Sequence, residues 1–224
     1  MPLFTDLPAT PPPPPGLPQG ARLYRQHLDA ATRRRLLADI VALLAEAPLF
    51  TPRMPGTGKP FSVRMSNAGK LGWVSDRAGG YRYEPRHPET GQPWPPMPEL
   101  LPELWRTLTD YPAPPQAALI NHYAPGARMG LHVDNDEQAT DAPILSVSLG
   151  AVARFRLGGL RRRDATMSFE LWPGDVLILE GPARLRYHGI DRIFLDRGEP
   201  LPAALGPGRI NITLRRVHPP AARD

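Results

Sequence analysis

His132 and Asp134 stand two residues apart in Leu131-His132-Val133-Asp134-Asn135-Asp136, and a second histidine follows in Tyr187-His188-Gly189-Ile190. Imidazole nitrogen and carboxylate oxygen are both metal donors. Two imidazoles and one carboxylate can fill three adjacent positions of an octahedral ion and leave three open, the donor set that suits non-haem Fe(II) oxygen chemistry. In an extended segment, residues i and i+2 point to one side. His132 and Asp134 can therefore converge on one ion while Val133 turns into the packed layer. A lone His-x-Asp recurs by chance on many protein surfaces, so the elements around it must decide.

From residue 117 onward the chain reads as short strands separated by turns. They are placed at 118–122, 128–133, 144–150, 153–157, 167–171, 176–180, 185–189 and 210–217. Ala153, Phe155 and Leu157 alternate with Arg154 and Arg156, which gives one buried and one solvated face. Val176-Leu177-Ile178-Leu179 is apolar throughout and belongs at the centre of a sheet. Strands at this spacing predict a β-sandwich or jelly roll. Upstream, a short strand is expected at 21–24 and a helix over 32–47, where Leu36, Leu37, Ile40, Val41, Leu43 and Leu44 recur at helical spacing. Asp29 or Thr32 can cap its start. The arginines at 33–35 sit in its first turn, where the helix dipole disfavours them, so they read as available to a partner. A second helix is expected over 99–110, after Pro95-Pro96-Met97-Pro98. The fold class is α+β. Residues 51–96 read as irregular, but Phe61, Trp73, Tyr81 and Tyr83 supply core aromatics, so the segment reads as ordered and functional.

The 224 residues are enough for one sizeable domain, placed at 21–224, and 41% of them are apolar. Pro11 to Pro15 form an unbroken run that favours polyproline II, so 1–20 reads as a flexible tail. No apolar run approaches the roughly 20 residues needed to span a bilayer, and the N-terminus lacks the pattern of a secretory signal. With no cysteine, any metal must be held by nitrogen and oxygen. These features predict a cytoplasmic protein with no membrane partner. The net charge of +5 favours anionic partners, nucleic acid first.

The C-terminal strand carries a second constellation, Arg209-Ile210-Asn211-Ile212-Thr213-Leu214-Arg215. Period-two alternation puts Arg209, Asn211, Thr213 and Arg215 on one face and the apolar residues on the other. If the polar face looks into a barrel it can clamp a dicarboxylate, because the planar arginine fork binds carboxylate through two parallel hydrogen bonds. Asn121 and Tyr123 share a strand face and offer neutral donors.

Several blocks occur in register: Asn121-His122-Tyr123-Ala124-Pro125-Gly126, His132 to Glu137, Ser146-Val147-Ser148-Leu149-Gly150, Arg186-Tyr187-His188-Gly189-Ile190, and Arg209 to Arg215. Together they resemble the AlkB family of Fe(II)/2-oxoglutarate-dependent nucleic-acid dealkylation dioxygenases. Ser62 to Trp73 and Gln92 to Pro98 are similar to the substrate lid of bacterial members. The resemblance implies a double-stranded β-helix (jelly-roll) core at about 117–217, flanking N-terminal helices, and a nucleotide-recognition lid at about 51–96. It implies that His132, Asp134 and His188 hold Fe(II). Arg209 and Arg215 would hold 2-oxoglutarate with Asn121, Tyr123 and Asn211, with O2 as the second co-substrate. Trp73 would stack on a flipped-out base opposite the His132 ring, with Asp136 near the exocyclic amine. Tyr81, Arg162 and Met65 would contribute to nucleic-acid or lesion contacts. The implied activity is oxidative demethylation of 1-methyladenine and 3-methylcytosine in DNA, and also RNA, by a monomer that releases formaldehyde, succinate and CO2. Lys59 and Phe61, the Gly79-Gly80 turn and Leu214 depart from the family pattern and bear on substrate preference. Two other functions fit part of the chain: an oxygenase acting on a protein or small molecule, and a non-catalytic nucleic-acid-binding protein on the same scaffold.

Overall fold

Alternating apolar and polar residues build two antiparallel sheets that share one long strand. The computed structural model describes residues 12–220. Residues 1–11 of the expected tail, and 221–224, lie outside that range. In chain order the elements are β1 (Ala21–Tyr24), α1 (Ala30–Glu46), β2 (Arg64–Gly69), β3 (Gly72–Asp76), β4 (Gly80–Glu84), α2 (Leu100–Leu108), β5 (Ala117–Tyr123), β6 (Met129–His132), β7 (Ile144–Leu157), β8 (Met167–Leu171), β9 (Val176–Leu179), β10 (His188–Gly198) and β11 (Arg209–Arg215).

The larger sheet runs β1-β9-β7-β11-β5-β2, and the smaller is β6-β10-β7-β8. The first half of β7 pairs with β9 and β11, and the second half with β8 and β10. The segments 144–150 and 153–157, expected as two strands, are therefore one. The change of sheet falls at Gly150, whose φ of +83° is open to glycine at little cost. A Cβ there would also lie 2.8 Å from the Gly208 carbonyl oxygen. Side chains of both sheets line a common cavity, so the sheets face each other as a jelly roll does.

Helix α1 begins where Asp29 Oδ1 accepts from the Thr32 amide at 2.7 Å. It buries Leu36, Leu37, Ile40 and Leu43, and α2 buries Leu101, Leu104 and Trp105 in the same core. Arg33 is not available to a partner. It is buried, forms a two-pronged pair with Glu199 and donates to the Leu28 carbonyl at 2.6 Å. Tertiary pairing here overrides the unfavourable dipole.

Segment 51–96 is less irregular than expected. Strand β2 joins the edge of the larger sheet beside β5, and β3 and β4 form a separate hairpin. The β2 sequence Arg-Met-Ser-Asn-Ala-Gly has no apolar alternation to announce a strand. Its hold is tertiary: Asn67 bonds both the amide and the carbonyl of Trp73, at 3.0 and 3.1 Å. The strand expected at 185–189 instead starts at His188, after a 3-10 turn at Gly181–Ala183, and runs to Gly198. Register shifts along β10 break its period, which hides it from a pattern search.

Candidate active site

β6 ends at His132, β10 begins at His188, and the two residues face each other across the ladder between these strands. Asp134 lies on the loop just after β6. His132 Nε2 is 3.7 Å from Asp134 Oδ1, and His188 Nε2 is 3.7 Å from Asp134 Oδ2. The three donor atoms all lie within 4.8 Å of one another. The other ring nitrogens decide the tautomers. His132 Nδ1 lies 2.9 Å from the Gly130 carbonyl oxygen, and His188 Nδ1 lies 3.0 Å from that of Arg186. A carbonyl only accepts, so each Nδ1 carries the proton and each Nε2 keeps a lone pair for a metal.

Charge supports the same arrangement. Burial lowers the His188 pKa to about 4, with His132 adding to the effect, so the ring is a neutral ligand at neutral pH. Burial alone would raise Asp134. Arg215, His188, His132 and Arg184 together outweigh it and hold the carboxyl below its ordinary range. The donors therefore fit a divalent ion of the Fe(II) kind. A metal that binds only the folded chain stabilises it, by about 2.7 kcal/mol at 100 times its Kd. Titration with Mn(II) should raise the Tm accordingly, and EDTA should reverse the rise. The same titration of His188→Asn should give little or no rise.

A cavity of about 180 Å³ opens beside these residues, well beyond the roughly 10–15 Å³ that admits one water. Leu119, Phe155, Leu171, Leu177, Leu179 and Ile190 line its apolar walls, and Asn121, Tyr123, Ser146, Asn211, Thr213 and Arg215 provide its polar groups. Strand β11 thus turns its polar face inward, as the alternation predicts. Asn211 donates to Ser146 Oγ at 2.6 Å, and Asn121 donates to Asn211 Oδ1 at 3.4 Å while its own Oδ1 has no partner.

The two arginines of β11 differ. Arg209 is 0% exposed, and its guanidinium has only Ser148 Oγ at 2.8 Å and the Ala151 carbonyl at 3.5 Å. Its Nε is unpartnered, and no carboxylate among the described residues pairs with it. Burial lowers its pKa to about 10, which still leaves it charged at neutral pH. Arg209 does not itself line the cavity, but it shares the polar face of β11 with Asn211, which does, and the only carboxylate whose charge reaches it among the described residues is Asp175. A buried cation so weakly paired costs several kcal/mol, and the carboxylate of a bound acid such as 2-oxoglutarate would supply the missing partner. Tyr123, raised to about 12 by burial, stays a neutral hydrogen-bond donor. Arg215 is already engaged, donating to Asp134 Oδ1 at 2.7 Å and to the Tyr83 hydroxyl at 3.0 Å. The two arginines expected to hold the dicarboxylate therefore differ: Arg215 already pairs with a carboxylate, and Arg209 does not.

Trp73, Tyr81, Met65 and Asp136 line the cavity together with the half-buried His132; the exposed Tyr81 and Asp136 mark its mouth, and Met65 lies buried within it. Trp73 donates its indole N–H to Asp136 Oδ2 at 2.7 Å and stacks on Tyr81 with centroids 5.5 Å apart. Phe61 meets Trp73 edge-on at 6.1 Å, so this departure from the family touches the aromatic platform itself. Lys59 is exposed. Arg162 does not line the cavity; it is exposed on the loop between β7 and β8. Glu137, Arg184 and Ser148, to which the sequence reading gives no role, are buried around the site. Glu137 sits in the acidic run after Asp134, which is a trace of its place; Arg184 has none.

A jelly roll that carries a His-Asp-His donor set and a buried arginine on the strand beside it defines the 2-oxoglutarate/Fe(II) oxygenase class. The family model of the 2OG-Fe(II) oxygenase superfamily matches residues 20–215. The alpha-ketoglutarate-dependent dioxygenase AlkB homolog of Caulobacter vibrioides is 51% identical over 190 residues, 85% of this chain and 84% of that one. AlkB of Escherichia coli is 41% identical over 209 residues, 90% and 92% of the two chains. The solved structure of OsALKBH1 superposes with a TM-score of 0.72 at 26% identity, covering 89% of this chain and 99% of that one. The chain belongs to the AlkB family of this superfamily. It is a dioxygenase that works with Fe(II), 2-oxoglutarate and O2.

Proposed function

We propose that this dioxygenase demethylates 1-methyladenine and 3-methylcytosine in DNA, and also in RNA. One observation carries the reading: a tryptophan face and a carboxylate, Trp73 and Asp136, are bonded to each other at the cavity mouth beside His132. A flat methylated base with a fixed positive charge suits both groups. Stacking satisfies its ring, and the carboxylate attracts its charge. A protein side chain or small acid needs no such platform.

When bound, iron with 2-oxoglutarate and O2 supplies the oxidation that converts the N-methyl group to a hydroxymethyl, lost as formaldehyde. His132, His188 and Asp134 would hold the metal, with Nδ1 of each histidine anchored on a backbone carbonyl. Arg209 and Ser148 would take one carboxylate of the keto acid, with Tyr123, Asn121 and Asn211 along its length. The leucine-lined walls exclude water. The base must leave its stack first, at a few kcal/mol, less when it is damaged or single-stranded. Arg162, exposed outside the cavity, would meet the phosphate backbone, a contact that steers but does not specify. In this reading the catalytic unit is residues 21–224, acting as a cytoplasmic monomer. Among the described residues no helix is long and apolar enough to cross a membrane.

The test is incubation with Fe(II), 2-oxoglutarate, ascorbate and an oligonucleotide carrying 1-methyladenine. Succinate and restored adenine should appear in equal amounts. Succinate beyond the substrate-free level with no restored adenine would point to another substrate, and the absence of both products would contradict the reading. Base–aromatic stacking contributes about 1–3 kcal/mol. Trp73→Ala should therefore raise the KM for the oligonucleotide roughly tenfold while sparing succinate formed without substrate. Equal loss of both would argue against the stacking role.

A further inference from the structure

Glu137 is a fully buried carboxylate on the loop that carries Asp134 and Asp136, and the reaction described above gives it no task. Its Oε2 accepts from Arg184 Nη2 at 3.0 Å. Its Oε1 lies 3.4 Å from Arg215 Nη1 and accepts the Tyr83 hydroxyl. The two arginines hold Asp134 from opposite ends. Arg184 donates to its main-chain oxygen and, at 2.7 Å, to the Ala142 carbonyl, while Arg215 grips its side chain. One buried anion therefore serves both guanidinium groups that fix the metal carboxylate.

Tyr83 extends this network into another element. It lies on β4 directly opposite Trp73 on β3. The hairpin that presents Trp73 is thus tied to the 134–137 loop twice, through Trp73–Asp136 and through Tyr83–Glu137. A base that engages Asp136 disturbs the first tie. The second involves two residues that do not line the cavity. Burial, opposed by Arg215 and reinforced by Glu137, holds the Tyr83 phenol well above its ordinary pKa, so it remains a donor. Burying a charge is costly unless it is paired. An apolar residue would fill the same space, but it could not link a hairpin hydroxyl to two arginines.

We propose that Glu137 is a positioning residue for the dioxygenase reaction, holding the β3–β4 hairpin, through Tyr83, in register with an Asp134 that Arg184 and Arg215 fix. The effect on substrate rests on the reading that Trp73 stacks the base; the tie itself does not.

The full-length chain with Mn(II) bound tests it through two variants. Tyr83→Phe removes one hydrogen bond to a charged group. Amides 72–84 should exchange about tenfold faster with solvent, the size expected for such a bond. The Mn(II) Kd should stay within about threefold. With Fe(II) and the 1-methyladenine oligonucleotide, KM for the oligonucleotide should rise roughly tenfold, KM for 2-oxoglutarate should barely move, and succinate per repaired base should increase. Glu137→Gln keeps the shape but removes the charge between the arginines. It should weaken Mn(II) binding about tenfold, in the range typical of groups that orient metal ligands. Wild-type exchange of the hairpin in Tyr83→Phe overturns the proposal, as does a parallel fall of every constant with a lower Tm. If Glu137→Gln does not fold, Tyr83→Phe still decides. Faster hairpin exchange in Tyr83→Phe, together with a wild type that repairs no base, would uphold the tie and sink the substrate reading instead.

Discussion

Replacing Asp134 with alanine is expected to abolish demethylation and to weaken Mn(II) binding by more than about a hundredfold. Changes to groups that merely orient metal ligands cost about 10–100-fold, so loss of a ligand itself must exceed that. Two imidazoles remain, and they supply no negative charge to the ion. The variant also deprives Arg215 of a partner 2.7 Å away. Removing one member of a buried pair costs up to about 3–5 kcal/mol, but Glu137 still faces Arg215, so the fold should survive with a lower Tm. Asp134→Asn separates the two effects. It can still accept from Arg215, so it should keep more of the stability, yet a neutral amide is a poor ligand and metal binding should fall nearly as far. Near-normal turnover in either variant would remove Asp134 from the metal site.

The second large effect is expected at Arg209. A buried guanidinium that meets a carboxylate makes charge-assisted bonds of about 1.5–3 kcal/mol each. Arg209→Met fills similar volume without charge and should raise the KM for 2-oxoglutarate about a hundredfold or more. The same change should leave the Tm of the ligand-free protein unaltered or raise it, because an unpaired buried cation is replaced by an apolar chain. That pair of outcomes is specific. A residue that served only packing would lose stability on substitution and leave the KM unmoved. Saturating 2-oxoglutarate should partly restore the rate of Arg209→Met and should do nothing for Asp134→Ala.

The β11 strand shows why part of this site was legible in advance. Its side chains alternate with period two, its apolar half is buried, and its polar half therefore had to face the interior space. His132 and Asp134 do converge, but not as neighbours on one strand face: β6 ends at His132, and Val133, expected in the packed layer, lines the cavity instead. Val176–Leu179, apolar throughout, lies inside the larger sheet as its composition predicts. The helix expected over 32–47 announces itself through apolar spacing, and the structure shifts it to 30–46 by choosing Asp29 over Thr32 as the cap. Elements with broken periods stayed hidden. β2 has no alternation, and β10 is interrupted by register shifts. In the sequence Gly150 resembles a turn and so conceals the unity of β7; in the fold it lets a continuous strand pass between sheets.

What the amino-acid sequence determined alone was the chemistry available: a metal-binding donor set without thiols, an arginine-bearing strand, and an aromatic-rich segment ahead of the barrel. These are local properties, set by residue type and by spacings of two to four positions. The tertiary structure decided how the two equivalent-looking arginines divide their work, one left without an anion and the other bound to the metal carboxylate. It also decided that Glu137, Arg184 and Tyr83 meet around Asp134. Those contacts join distant stretches of chain, and a pairing made only when separate strands close around a shared core leaves no periodic trace in the residues that make it.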